Sequence, residues 1–456
     1  MASKSKVARQ AKLKVDKNFD KKLFAIPLVA LLIKFVTIGN IPGHFWLGAD
    51  GENYITGLEA LIKDGIFSTE HLLSYWPAGY PLIMYMFSSL GIEHTLVITV
   101  VLQSMLYAFA SWYFAKQISR TKLRKFSFPI AFLITFNPTL SLSTITIGYE
   151  SVSASIFIIA IGLFISEFLY SDKRIFTWKS ISAAGLLSIS SFVQPRFVLS
   201  AFLFLLIWAV ALKPKKSAVM FLAATTVVLA VFPSTLVLRN IKANDFATIS
   251  TNLGITMNLG AGPGATGAYI KEGYGVPCSS IEGNDAEKDA HLRNCVISWY
   301  LSNPAKSLEL FYNKAKFFWS PWSGPEASGS MARNPWLKIS PFVSIATQSQ
   351  SGNDLVYGGF GKLLSWLWMI GSILLAGFGV VKLWKARGLA RYIGISSGVI
   401  VLSNWAISVG TLGDHRQRLP IMSLSLFLQV LGFASIVGGK RYRIPIEDAA
   451  QTAVSN

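Results

Sequence analysis

The sequence predicts an all-α polytopic membrane protein, a bundle of about ten transmembrane helices with two large extracytoplasmic loops. Three observations predict it. Hydrophobic residues fill 52% of the 456 positions and charged residues only 14%, with mean hydropathy +0.47, a composition outside the soluble range. Apolar runs recur that approach the roughly 20 residues needed to cross the hydrocarbon core. Lys and Arg gather at residues 4–22 and in five short runs between apolar segments, at 116–125, 173–179, 213–216, 382–391 and 440–443. These regions hold 26 of the 42 basic residues, and the acids outside them and their flanks number 17 against 16 remaining basic residues. The asymmetry follows the positive-inside pattern and puts both termini in the cytoplasm. The formal charge of +19 therefore describes topology and contact with anionic membrane lipids, and no nucleic-acid partner is implied.

Taken in order, the chain opens with a basic cytoplasmic tail at 1–22, too charged for a conventional signal peptide, and then an uncleaved first span at 23–39. Lys34 lies late in that span and is expected to snorkel outward. Residues 40–93 form the first outer loop. Within it Tyr54, Leu58, Leu61 and Ile62 repeat at helical spacing, and Gly65 sits at the expected stop, which predicts an interfacial helix from Glu52 to Asp64. Further spans are expected at 96–116, 128–147 and 152–170. Between 180 and 213 the apolar run is interrupted by Gln194-Pro195-Arg196 and flanked on both sides by basic clusters. Both flanks should be cytoplasmic, so the run must cross an even number of times, as two short helices meeting at that turn. A span at 217–238 leads to the second outer loop, 239–357, Gly-rich at first and then helical from Asp285 to Trp319. There Leu308, Phe311, Tyr312, Ala315, Phe318 and Trp319 form a stripe suited to the membrane or to the first loop. Spans at 363–383, 392–409 and 420–437 complete a membrane domain of 23–438, followed by a cytoplasmic tail at 439–456. Cys278 and Cys295, the only cysteines, both fall in the second outer loop, where an oxidising compartment favours a disulfide between them.

Several clusters carry chemistry. Asp50 and Glu52 lie in Gly48-Ala49-Asp50-Gly51-Glu52-Asn53-Tyr54, where the chain leaves the first span. Asp50 suits a helix N-cap and equally a general base, since a cap fixes the rotamer of a base. Glu52 adds a second carboxylate, and the pair is compatible with a divalent cation without requiring one. The five histidines show no metal-binding spacing. Next comes Trp76-Pro77-Ala78-Gly79-Tyr80-Pro81-Leu82. At the mouth of the last span stands Gly413-Asp414-His415-Arg416-Gln417-Arg418-Leu419-Pro420. Its two planar guanidinium forks suit phosphate oxygens at an interface. Arg239-Asn240, then Asn252 and Asn258 within a run of Asn and Gly to Gly267, offer amide groups and close backbone approach for sugar hydroxyls. Glu150 and Arg196 sit near span ends as ionisable groups at membrane depth, facing a cavity or each other.

In their order, these motifs resemble the GT-C glycosyltransferases, and more narrowly the bacterial relatives of the protein O-mannosyltransferase and aminoarabinose transferase families. The resemblance runs through Asp50 to Pro81, Glu150, Pro195-Arg196, Arg239 to Gly267 and Asp414 to Pro420, with Gln417 where those relatives usually have Tyr. It implies a GT-C fold and an inverting transfer of a sugar from a polyprenyl-phosphate donor to an acceptor hydroxyl of a glycan, glycolipid or protein, outside the cell membrane. Asp50 would be the base, with Glu52 beside it. Arg416 and Arg418, with Arg239 or Arg196, would neutralise the leaving phosphate. Tyr54, Tyr80, Glu150, Asn240, Asn252, Asn258, Asp414 and His415 would contact sugar or acceptor. A transporter or lipid flippase would instead put charges near the midplane of repeated halves, and a polysaccharide polymerase or ligase would lack the early Asp-x-Glu and Pro-x-Gly-Tyr-Pro pair.

Overall fold

The computed structural model describes residues 17–47, 50–170, 176–212, 214–268, 275–321 and 358–438. Gly48, Ala49, most of the N-terminal basic tail, the C-terminal tail, residues 171–175 and 269–274, Lys213 and the last third of the second loop lie outside the described residues.

The chain forms α1 (Lys17–Gly39), β1 (Trp46–Leu47), α2 (Gly51–Asp64), α3 (Leu72–Tyr75), α4 (Gly79–Tyr85), α5 (Ile92–Ser119), α6 (Ser127–Phe136), α7 (Pro138–Leu142), β2 (Thr146–Ile147) and α8 (Glu150–Tyr170). It continues with α9 (Trp178–Val193), α10 (Phe197–Leu212), α11 (Lys215–Asn244), α12 (Leu253–Leu259), α13 (Asp285–Ser302) and α14 (Pro304–Phe318). The last elements are α15 (Gly359–Lys385), α16 (Leu389–Gly410), a 3-10 turn at His415–Ile421, and α17 (Met422–Val437). Among the described residues seven helices are long and apolar enough to cross a membrane, or eight if the bent pair around Asn137 is one span. The chain is thus an all-α, multi-pass membrane protein.

Most expected segments become helices, and the differences have local causes. The run at 128–147 is broken, with a 53° bend. Pro138 supplies no N–H, and Asn137 is driven to ψ 116, where its side chain accepts from the Leu140 amide at 2.9 Å. α9 and α10 meet at Gln194-Pro195-Arg196, as the charge parity required. α11 runs to Asn244, six residues beyond the expected end, so Arg239 and Asn240 are helical. The helix expected from Asp285 to Trp319 is two helices divided at Asn303-Pro304. On α14, Leu308 and Tyr312 are exposed, while Phe318 and Trp319 are buried against Trp405 of α16. The Trp405 indole also donates to the Ala315 carbonyl at 3.0 Å. The C-terminal end of the stripe therefore packs on α16 rather than on the first loop, while Leu308 and Tyr312 stay outward.

α8 is buried along most of its length, whereas α1, α11 and α15 turn most of theirs outward. Outward positions such as Leu32, Val36, Val227 and Leu367 are exposed apolar residues, as a lipid-facing surface requires. α15 and α17 approach to backbone contact. A Cβ at Gly432 would lie 1.9 Å from the Leu375 carbonyl oxygen, and one at Gly379 2.0 Å from that of Leu428, the small-residue packing that draws helices together in a membrane.

The first loop folds back over the bundle. In α2, Tyr54, Leu58 and Leu61 face the core, Ile62 does not, and Gly65 ends the helix at φ +77. The Gly79-Tyr80 turn is pressed against the end of α9, where a Cβ on Gly79 would fall 2.1 Å from the Phe192 carbonyl oxygen. Tyr80 donates to Gln103 Oε1 at 3.2 Å and accepts from the Gly148 amide at 3.0 Å. Gln103 in turn donates to the carbonyls of Thr144 and Thr146 at 2.7 and 2.6 Å. Replacing Gly79 by Ala should therefore separate α4 from α9 at an overpacking cost of about 1–3 kcal/mol or more. The expected result is a lower unfolding midpoint of the purified protein in detergent, and an unchanged midpoint would mean the contact relaxes freely.

Candidate functional site

β1 and β2 pair in parallel, with Trp46 beside Thr146 and Leu47 beside Ile147. Asp50 and Glu150 each follow that pairing by three residues, so the register carries both carboxylates to the same place. Arg416 joins them. Its Nη1 lies 2.8 Å from Asp50 Oδ2, and its Nε lies 2.5 Å from Glu150 Oε1. Asp50 occupies the N-cap position of α2 but makes no side-chain cap bond. The carboxylate goes to Arg416 instead, and the capping expectation is corrected accordingly. Nor does Glu150 pair with Arg196.

Arg416 belongs to the 3-10 turn. Asp414 starts that turn by accepting from the Arg416 amide at 2.8 Å, and the same oxygen meets His415 Nδ1 at 3.1 Å. A 3-10 helix has three residues per turn, so positions i and i+3 eclipse. Arg416 and Arg418, two apart, consequently face different ways. Arg416, with Asp414 and Gln417, lines a cavity of about 590 Å³. Arg418 and His415 line a second, smaller one.

With the stretch that carries Arg416, five others far apart in sequence close around the larger cavity. Asp50 and Asn53 come from the start of α2, Tyr75 and Trp76 from the end of α3, and Tyr149 from beside α8. Gln194 and Arg196 come from the α9–α10 turn, and Asn252 and Thr256 from α12. Arg196 lies against Phe197 and Tyr149, at 4.9 and 5.8 Å from the ring centroids. Its Nε and Nη2 have no hydrogen-bond partner among the described residues. The cavity thus combines a carboxylate, a guanidinium with unpartnered nitrogens, aromatic faces and several amides.

Other expected site residues sit elsewhere. Glu52 is exposed on α2 and does not line the cavity, so the Asp50–Glu52 pair, and a cation held by it, is replaced by Asp50 with Glu150 and Arg416. Among the described residues no group of three or more His, Cys, Asp or Glu is placed to hold a metal ion. Arg239 is buried and donates to the carbonyls of Ile66 and Leu73 at 3.2 and 3.3 Å, to that of Ser68, and to Asn240 Oδ1 at 2.8 Å. Asn240 donates to the Thr248 carbonyl at 2.8 Å. Both fasten loops and neither lines the cavity. Asn258 accepts from the Val276 amide at 2.6 Å. Tyr54 and Tyr80 are packed beneath the site with ring centroids 5.0 Å apart. Burial, then the Asp50 carboxylate, pushes the Tyr54 phenol well up, and burial does the same for Tyr80. Lys34 does not snorkel. It is buried with its ammonium 4.7 Å from the Tyr107 ring centroid. Cys278 and Cys295 form the expected disulfide, with Cα atoms 6.1 Å apart.

Lys314 was not singled out from sequence, because an exposed-looking Lys in an amphipathic stretch carries no signal. It is fully buried and donates to the Thr411 carbonyl and the Tyr300 hydroxyl, both at 2.6 Å. The glycine run closes over it. A Cβ on Gly260 would lie 2.5 Å from the Thr411 carbonyl oxygen and 3.0 Å from Lys314 Cε, and the Gly413 amide donates to the Gly267 carbonyl at 2.9 Å. The close approach made by these glycines is to the Lys314 helix and the strip 411–413, on which Asp414 is carried. Gln194, Asn53 and Tyr149 were missed as well, since isolated amides and aromatics have no distinguishing pattern. Comparison of the chain with protein-family models, curated proteins and solved structures finds no match.

Burial lowers the Lys314 ammonium to about 7, from an ordinary 10.5. Between those values the folded chain holds fewer protons than the unfolded one, so this group favours folding increasingly as pH rises through that window and withdraws its support as pH falls to about 7. Unfolding midpoints of the wild type and Lys314→Met, measured across that window, should diverge with rising pH in favour of the wild type. Parallel curves would mean the ammonium suffers no penalty in the fold.

Proposed function

We propose that this chain is a membrane glycosyltransferase of the GT-C type, moving a sugar from a polyprenyl-phosphate donor to an acceptor hydroxyl on the extracytoplasmic side. The observation that carries the reading is a guanidinium with unpartnered nitrogens, Arg196, lining the same cavity as the Asp50 carboxylate. Such a site pairs a proton acceptor with a phosphate-binding cation. The acceptor oxygen forms a bond to the anomeric carbon as the bond from that carbon to the phosphate oxygen breaks. The hydroxyl proton passes to Asp50, the electron pair leaves on the phosphate, and attack from the opposite face inverts the centre. Arg196 neutralises the charge that develops there. Arg416, occupied by two carboxylates, positions Asp50 rather than binding phosphate. Tyr75, Trp76 and Tyr149 offer ring faces, and Asn53, Gln194, Asn252 and Gln417 offer amides to sugar hydroxyls.

The topology that goes with this reading has ten crossings, both termini in the cytoplasm and the cavity outside. Its support is the convergence on one cavity of the segments around residues 50, 149, 195, 252 and 411, which are alternate helix ends, while the basic clusters occupy the other ends. With the native cysteines bonded to each other, a membrane-impermeant thiol reagent on sealed cells should label a cysteine placed at Asn284 and spare one at Lys215. Labelling at Lys215 would remove the ten-crossing topology.

Chemistry is tested by transfer assays on purified protein in detergent with a polyprenyl-phosphate sugar. Asp50→Asn keeps an acceptor for Arg416 and should lower transfer by roughly 10²–10⁴-fold while donor binding persists. Arg196→Ala should weaken donor binding by about 1.5–3 kcal/mol, with Arg196→Lys restoring only part of it because the planar fork is lost. Near-normal transfer by Asp50→Asn would hand the role of base to Asp414, the other carboxylate of the cavity.

A further inference from the structure

The face of the 3-10 turn that carries His415 and Arg418 lines a different cavity from Arg416, and both residues are buried at the start of the last membrane helix. Arg418 is 4% exposed and His415 2%. Only one nitrogen of the Arg418 guanidinium is spoken for by a hydrogen bond, Nη2 to the Ser320 carbonyl at 3.3 Å, with the Trp319 ring centroid 5.4 Å away. Nε and Nη1 have no partner, and no carboxylate pairs with the group among the described residues. An arginine does not escape such a position by losing its proton. His415 has Nδ1 held by Asp414 and Nε2 without a partner.

Both side chains line a cavity of about 80 Å³ between α15, α17 and the Asn137 break. Its remaining polar lining consists of Asn137, Thr139, Ser372, Ser425 and Gln429. The volume equals that of roughly two to three water molecules, room for one tetrahedral oxyanion and none for a sugar. At its rim stands Trp368, 46% exposed on the outward side of α15. A buried guanidinium with unpartnered donors between two transmembrane helices suits a phosphate oxyanion, free or on a lipid headgroup.

We propose that Arg418 and His415 form a phosphate-binding site, separate from the catalytic cavity, that takes a single phosphate oxyanion between α15 and α17. Phosphate oxygens accept from the unpartnered Arg418 nitrogens, a phosphate O–H donates to His415 Nε2, and the hydroxyl and amide groups of Ser372, Ser425 and Gln429 complete the shell. The ligand gives Arg418 a counter-charge that the described residues do not supply. The site does not depend on the glycosyl-transfer reading, and it would stand if Asp50 proved not to be a base.

The test uses full-length protein in a neutral detergent, titrated in separate arms with short-chain phosphatidic acid, inorganic phosphate and, as control, short-chain phosphatidylcholine. One phosphatidic acid should bind per chain, or one inorganic phosphate if the free ion is the ligand, and phosphatidylcholine should not compete. Arg418→Met should weaken that binding by about 10–100-fold, as loss of charge-assisted hydrogen bonds to phosphate implies. Without ligand the same variant should unfold at a higher temperature than the wild type, since a buried unpaired charge has been replaced by an apolar chain of similar length. Ser425→Leu fills the cavity without touching charge and should also abolish binding, which keeps the test valid if Arg418→Met fails to fold. Absence of saturable binding in both phosphate arms, or binding that survives both substitutions, would overturn the proposal.

Discussion

One guanidinium organises the site. Arg416 lies between Asp50 and Glu150, two carboxylates brought to the same end of the bundle by a two-residue parallel pairing of strands. Without the cation, like charges would face each other in a partly buried setting and would repel. With it, three segments that leave or enter different helices are tied at one point. Asp50 is then held at the cavity wall with one oxygen engaged, an orientation that a loop residue would not otherwise keep. The remaining geometry of the cavity, including the direction of the 3-10 turn and the division between its two faces, follows from where Arg416 must reach.

Around that point the connecting regions are fastened to one another rather than to the apolar bundle alone. Arg239 spends its donors on the carbonyls of the first loop, and Thr251 donates its amide to the Ser74 carbonyl at 2.9 Å. His71 meets Asp285 at 3.0 Å, at the start of α13. Lys314 secures Thr411 from below. Apart from the His71–Asp285 side-chain pair, these are polar contacts to backbone carbonyls that no helix ladder satisfies. They hold the described parts of these connecting regions together, alongside a small apolar cluster of Ala261, Val276 and Val296, so the aromatic and amide groups of the cavity have defined positions.

Much of this was legible in the sequence, and the failures share a cause. The amphipathic face of α2, the break at Gln194-Pro195-Arg196 and the disulfide follow from periodicity, proline chemistry and compartment, and Asp50 and Asp414, singled out by charge, line one cavity. The two pairings read from adjacency did not survive. Asp50 with Glu52, and Arg416 with Arg418, are each two residues apart. A helix turns about 200° over two residues in the α form and about 240° in the 3-10 form, so such neighbours point apart. The carboxylate that shares Arg416 with Asp50 is Glu150, a hundred positions on, brought there by the register of β1 with β2. Lys314 was hidden for a related reason. The glycines that surround it are distant in sequence, and a glycine run looks the same whether it receives a ligand or a neighbouring helix.

The order of the cavity's parts along the chain bears on how the protein is made. Its wall begins at Asp50 and is not complete until Gln417, a few residues before the final helix. During synthesis the acidic partners emerge early, and the cation that reconciles them emerges nearly last. A nascent chain stopped anywhere before Arg416 therefore lacks the final helix as well as the finished cavity. Closure of the wall is thus tied to completion of the bundle, and no product of translation that ends short of Gln417 contains the full cavity.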